Sequence, residues 1–162
     1  MPHIHTQQGQ YDYTVSGYLV HESKTLLIKH KYLPIWTAPA GHIEVNETPI
    51  EALYKEISEE AGINKESLEL LETQPVIKHA EHGDGNQHLP LPFDMDYHAI
   101  DDTHNHINLS YILKSATNHV EPKMGESNTF KWFTIEELEM FRETRPAIIN
   151  QAIYAINYAG KN

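Results

Sequence analysis

The chain has no cysteine, which excludes disulfides and thiolate chemistry and leaves the redox compartment unread. No run approaches the ~18 apolar residues of a membrane helix. The opening segment, MPHIHTQQGQYDYT, lacks the basic and apolar parts of a signal peptide. Positive charge is scarce as well: 12 Lys and Arg stand against 23 Asp and Glu, a formal net charge of −11. That balance argues against a nucleic-acid polymer as partner, because such binding rests on neutralising phosphates with Lys and Arg. A small anionic substrate would meet the same repulsion unless a bound cation inverted the local field. Internal repeats and Gly/Ser-rich linkers are also missing. These absences lead us to expect a soluble, cytoplasmic protein without a membrane partner.

What is present suits a packed domain. The 162 residues, 40 % hydrophobic and 9 % aromatic, fit a single domain over 1–162 with a sizeable core. YDYTVSGYLVHES alternates as a strand, and TLLIKHKYL follows it after a turn near Glu22–Lys24. PIWTAPAG is a Pro-punctuated loop. LELLETQPVIKH, DMDYHAI and HINLSYILKSA read as further strands. The polar AEHGDGNQHLPLP between the first two of these reads as a long substrate-facing loop. FKWFTIEELEMF predicts a strand running into a short helix, with Thr134 as N-cap and Glu137 completing a capping box. RPAIINQAIYAINYA repeats apolar residues at helical spacing. Strands outnumber helices, so the expected class is α/β, with helices covering a mixed sheet.

The stretch GHIEVNETPIEALYKEISEEAGI is crowded with like charge. Thr48 can cap a helix, Pro49 suits its first position, Glu51 can reach back to the cap, and Gly62 can end it. At about 100° per residue, Ile50, Leu53, Ile57 and Ala61 form a core stripe. Glu56, Glu59 and Glu60 share a face beside that stripe, where side chains three and four apart repel. Such a face is either simply solvated or gathers a hard divalent cation, which takes carboxylate oxygens on a rigid element.

Gly41, five residues, Glu47, seven residues, then Lys55-Glu56-Ile57-Ser58-Glu59-Glu60-Ala61-Gly62-Ile63 resembles the Nudix box, Gly-x5-Glu-x7-Arg-Glu-U-x-Glu-Glu-x-Gly-U, with U aliphatic. Every fixed position fits except the arginine, which is Lys55 here. The flanks SGYLV and TLLIKHKYLPIWTAPAGHIE, and the later FKWFTIEEL, are similar to the strands and helix around that box. The resemblance implies a Nudix fold, a mixed β-sheet sandwiched between helices in α/β/α layers. It implies hydrolysis of a nucleoside diphosphate linked to another group, with Mg²⁺ or Mn²⁺ as cofactor. It implies that Glu56, Glu59 and Glu60 bind metal, with Glu56 and Glu59 also catalytic, and that the Ala40 carbonyl joins the metal shell. Gly41, Glu47, Lys55 and Gly62 become structural box residues, Glu47 usually pairing with the box arginine. Lysine keeps the charge there but loses the planar fork, and could pair with Glu51, or with Glu47 and Glu59. Glu126 falls where some members carry a general base in a later loop; otherwise it is a solvated loop residue. A catalytically weak nucleotide-sensing module of the same family is the alternative, although such modules usually lose box glutamates. The expected partner is a small nucleotide-type diphosphate, with a homodimer left open.

Twelve histidines are many for this length. His104 and His106 alternate at the start of a strand, so both should point to one face. They are candidate substrate contacts; structural histidines or a zinc site are the other readings. Among the aromatics, Trp36 in the loop before the box is the candidate for stacking a base, while Phe130 and Trp132 divide between core and surface.

Overall fold

Alternation along residues 11–21 produces one long central strand whose two sets of side chains serve two different cores. The structure, a computed structural model, describes residues 10–75, 85 and 87–162. In order, its elements are β1 (Tyr11–His21), β2 (Lys24–Lys29), β3 (Trp36–Thr37), β4 (Ala40–His42), α1 (Pro49–Glu60), a 3₁₀ turn (Lys65–Ser67), β5 (Leu68–Leu70), β6 (Asp94–Ala99), β7 (Asn105–Ser115), β8 (Phe130–Phe133), α2 (Ile135–Met140) and α3 (Pro146–Lys161).

The sheet runs β3-β2-β1-β7-β5, with β4 beside β1, β6 beside β7 and β8 beside β2. β1 and β7 are parallel over ten residue pairs, from Tyr11 opposite Asn105 to Val20 opposite Lys114. The other pairings are antiparallel, so the sheet is mixed. Because successive side chains point to opposite faces, Val15 and Leu19 join Leu53, Ile57 and Ala61 under α1. Tyr18 and Val20 join Leu138, Ala152, Ala155 and Ile156 under α2 and α3. The expected α/β/α layering is therefore what the chain forms.

Local signals set the helix ends. Thr48 accepts the Glu51 N–H, and Glu51 returns the bond to the Thr48 N–H; Thr134 and Glu137 repeat this at α2. Gly62, at φ 67°, turns the chain beyond α1, and a Cβ there would lie 2.0 Å from the Glu121 carbonyl oxygen. Glu22 and Ser23, both at positive φ, make the turn between β1 and β2.

Two expectations are shortened. β5 is three residues long, with the Leu71 N–H still bonding the Ile112 carbonyl beyond it, and residues 76–79 of the expected strand lie outside the described residues; β2 ends at Lys29, short of the expected 25–33. Residues 80–84 and 86 of the loop expected over 80–92 lie outside the described residues. Among the described residues, no helix is long and apolar enough to cross a membrane.

Candidate active site

α1 lies close on β1 because Gly17 leaves room: a Cβ there would meet Ile57 Cδ1 at 2.9 Å. This approach carries the acidic face of α1 to β4. Glu60 Oε2 accepts the Ala40 N–H at 2.8 Å. The Glu56 carboxyl covers Gly41 so closely that a Cβ at Gly41 would lie 2.1 Å from Glu56 Cδ. The box glycine is thus a space requirement set by a glutamate fifteen positions later.

Burial pushes the Glu56 carboxyl up to about 7, with Lys55 opposing and the Glu59 and Glu47 charges adding to the rise. Burial likewise raises Glu60 to about 8, against the Ala40 N–H and with the charges of Glu56 and Glu126 reinforcing it. Two half-buried carboxyls are held together where neither favours ionisation. Such an all-oxygen donor set fits a hard divalent cation, whose charge would reverse that penalty.

Cations of the chain ring this group. Lys55 Nζ meets Glu47 Oε1 at 2.9 Å and Oε2 at 3.0 Å, and Glu56 Oε1 at 3.6 Å. Among its expected partners the structure selects Glu47, and its second contact is Glu56. Glu47 Oε2 also accepts the Glu44 N–H at 2.9 Å, which fixes the carboxylate. Glu59 faces Lys123 Nζ at 3.7 Å, and a strap runs past the end of α1 through the bonds Glu121 N–H to Ala61 carbonyl and Lys123 N–H to Glu59 carbonyl. Glu126 follows that strap and pairs with Lys31 Nζ at 2.9 Å, close enough for its charge to act on Glu60.

The structure therefore brings Ala40, Gly41, Glu47, Lys55, Glu56, Glu59, Glu60 and Glu126 into one region. Sequence reasoning missed Lys31 and Lys123, since isolated lysines in polar loops carry no local signal.

Trp36 goes elsewhere. Its ring packs edge-on against Phe133 at 5.8 Å and Phe141 at 5.6 Å, and its carbonyl accepts the Thr144 hydroxyl. It belongs with the aromatic side chains that seat α2, not with a base-stacking surface. Trp132 donates to the Asn118 carbonyl at 3.0 Å and packs under α1, and Phe130 is exposed.

His104 and His106 share one face as expected, with two partners the sequence did not suggest. Asp12 is the β1 neighbour of His106, and His42 pairs opposite Thr14 on the same face. Asp12 Oδ2 lies 3.1 Å from His104 Nδ1 and 3.7 Å from His42 Nε2, while His104 Nε2 and His106 Nε2 are 2.7 Å apart. Burial lowers His106 to about 4, with His42, His104 and His98 adding to it and Asp12 opposing. The signal that could have revealed this group is polar alternation, Asp12-Thr14-Ser16, in a strand otherwise built for a core.

A family model for the NUDIX domain matches residues 10–152. The chain belongs to the Nudix family. Its structure is similar to the crystal structure of a NUDIX-family hydrolase from Clostridium perfringens, with a TM-score of 0.80 and 28 % identity, covering 93 % of this chain and 99 % of that one. A putative ADP-ribose pyrophosphatase, YjhB of Bacillus subtilis (strain 168), is 33 % identical over 79 residues, 49 % of this chain and 35 % of that protein. An RNA pyrophosphohydrolase of Xanthomonas campestris pv. campestris (strain B100) is 45 % identical over 40 residues, 25 % of this chain and 20 % of that protein. The matched stretches thus span about a third or less of these curated Nudix relatives.

Proposed function

We propose that this single domain hydrolyses a nucleoside diphosphate linked to another group, using Mg²⁺ or Mn²⁺. The observation that carries this reading is the half-buried Glu56–Glu60 pair, gathered against Gly41 and Ala40 with both carboxyls pushed toward neutral pH. A face that was merely solvated would not bury like charges. The Ala40 carbonyl, Glu56, Glu59 and Glu60 would hold the cation, which supplies positive charge for the diphosphate and acidifies water.

The chain's own groups do the rest. Gly41 leaves space for the Glu56 carboxyl, and the Ala40 N–H fixes Glu60. Lys55 and Glu47 brace the start of the acidic face from beside it. We assign the proton of the attacking water to Glu126, which pairs with Lys31. The water oxygen bonds to phosphorus as the anhydride P–O bond breaks, leaving two phosphate-bearing products.

The test is a panel of nucleoside diphosphate derivatives with Mg²⁺ and Mn²⁺, read as phosphate released after phosphatase coupling. ADP-ribose belongs in it, and so does a 5′-polyphosphorylated RNA, given the names of the two relatives. We expect turnover on a small member and none on the RNA, which the net charge of −11 disfavours. Glu60→Gln should then lower turnover at least ~10³-fold, about 4 kcal/mol in the transition state. Nucleotide binding without hydrolysis across the panel would make the chain a sensing module instead. Turnover within a few-fold of wild type in Glu60→Gln would remove this carboxylate from the mechanism.

A further inference from the structure

The face of the sheet under α3 is apolar at one end and polar at the other. Tyr18, Val20 and Ile112 meet α3, but toward the start of β1 the same rows read Asp12-Thr14-Ser16, and on β7 His106-Asn108-Ser110. The middle of this polar stretch is internally satisfied. Thr14 Oγ1 donates to Asn108 Oδ1 at 2.9 Å, and Asn108 Nδ2 donates to the hydroxyls of Ser16 and Ser110 at 3.0 Å. At its end stand three imidazoles and a carboxylate.

We infer that Asp12, His42, His104 and His106 form a binding site for a zinc-type divalent transition metal, separate from the carboxylate group against α1. The four residues each offer a ligand atom, and these atoms lie within 4.8 Å of one another. Around a tetrahedral zinc with ~2.0–2.1 Å bonds, ligand atoms stand roughly 3.3 Å apart. The closest pair here, the two Nε2 atoms at 2.7 Å, must open slightly and the widest must contract, both within reach of side-chain rotation.

Three features favour a metal over a loose polar patch. The Asp12 side chain is 1 % exposed, so a carboxyl group is committed to this buried place within reach of the histidines. The donors come from three strands and one loop end already locked in register: Asp12 on β1, His42 on β4, His106 on β7, and His104 just before β7. Beside His106 on β6 stands His98, bonded to Asp96 at 2.7 Å, which packs its ring 5.3 Å from His106 and walls the group.

The donor set decides which ion. Nitrogen ligands select zinc and its transition-metal neighbours, whereas Mg²⁺ takes oxygen. The strand alternation separates the two centres. Gly41 faces α1 and Glu56, while His42, one residue on, points to the opposite face beside Thr14 and Asp12. A four-ligand closed set is characteristic of a structural ion, and here it would tie β4, β1 and β7 together.

The test uses the untagged full chain, stripped with chelator, loaded with Zn²⁺ and desalted, with metal measured by mass spectrometry. We expect about one zinc per chain, a thermal midpoint raised by several degrees by Zn²⁺ in the presence of saturating Mg²⁺, and a tetrahedral Co²⁺ absorption spectrum on cobalt substitution. The double variant His104→Gln/His106→Gln should lose the ion, while Glu56→Gln/Glu60→Gln should keep it. Failure to retain zinc at micromolar concentration overturns the inference. So does zinc that survives in the histidine variant or vanishes only in the glutamate variant, which would place the ion elsewhere. If the histidine variant does not fold, the wild-type cobalt spectrum decides: weak six-coordinate bands count against the site. In that outcome the group is a buried hydrogen-bonded Asp–His network.

Discussion

Gly41 shows how one missing methyl group can set where a carboxyl lies. A Cβ there would come within 2.1 Å of Glu56 Cδ, and that carboxyl is the mobile end of a flexible side chain. The fold can therefore accept Gly41→Ala by swinging Glu56 aside, and the cost should appear in chemistry. We expect turnover to fall at least ~10-fold, a loss of about 1.4 kcal/mol or more in the transition state, with the thermal midpoint shifted by only a few degrees. A midpoint collapse with unchanged turnover would show that the strand, not the carboxyl, needs the glycine. Lys55 makes the complementary case. It meets both Glu47 oxygens and approaches Glu56 without the planar fork of arginine. Lys55→Arg should leave turnover unchanged or raise it, and Lys55→Ala should lower it; steady-state kinetics on the substrate found by the panel separates the two. An alanine variant with wild-type turnover would leave the position without a catalytic role.

α1 is held at both ends by different physics. At its start, Thr48 and Glu51 exchange bonds in a capping box, so Thr48→Ala should cost about 1 kcal/mol, read from denaturant unfolding. At its end, Gly62 is both left-handed and crowded, with a Cβ 2.0 Å from a backbone oxygen of the Glu121 strap. Backbone cannot swing away as a side chain can. Gly62→Ala should therefore cost about 2 kcal/mol or more, a larger loss than the cap. Equal losses would mean that the strap is free to move. The strap matters because it leads to Lys123 and Glu126, so the end of the helix and the far wall of the site are one connected piece.

For the whole molecule, the raised carboxyls make a statement about pH. Glu56 at about 7 and Glu60 at about 8 bind protons in the folded chain that the unfolded chain, near 4.5, releases. Their contribution to stability is complete below about pH 4.5 and is lost as pH rises through 7 and 8. His106, lowered from 6.5 to about 4, has the opposite sign: its contribution is present above 6.5 and lost as pH falls toward 4. The two effects compete on the acid side, and between about pH 6.5 and 8 the glutamates act alone. The metal-free protein should therefore melt lower at pH ~8.5 than at 6.5. Calorimetry in chelator checks this, and Glu60→Gln should flatten the slope. A rising midpoint over that window would mean that the carboxyls are not raised in solution. Much of this molecule was legible in its residues. The caps at Thr48 and Thr134, the stripe of α1, the long strands and the box glutamates all depend on neighbours within about one helical turn or on simple alternation. Convergence over distance was not. Thr14 and Asn108 are 94 positions apart, yet they bond because β1 and β7 run parallel in one register. Alternation states which side chains share a face of a strand, but any even shift of register keeps that pattern while changing every partner. Packing and pairing alone decided that Asp12 and His42 meet His104 and His106, that Lys31 holds Glu126, and that Trp36 sits against Phe133 and Phe141.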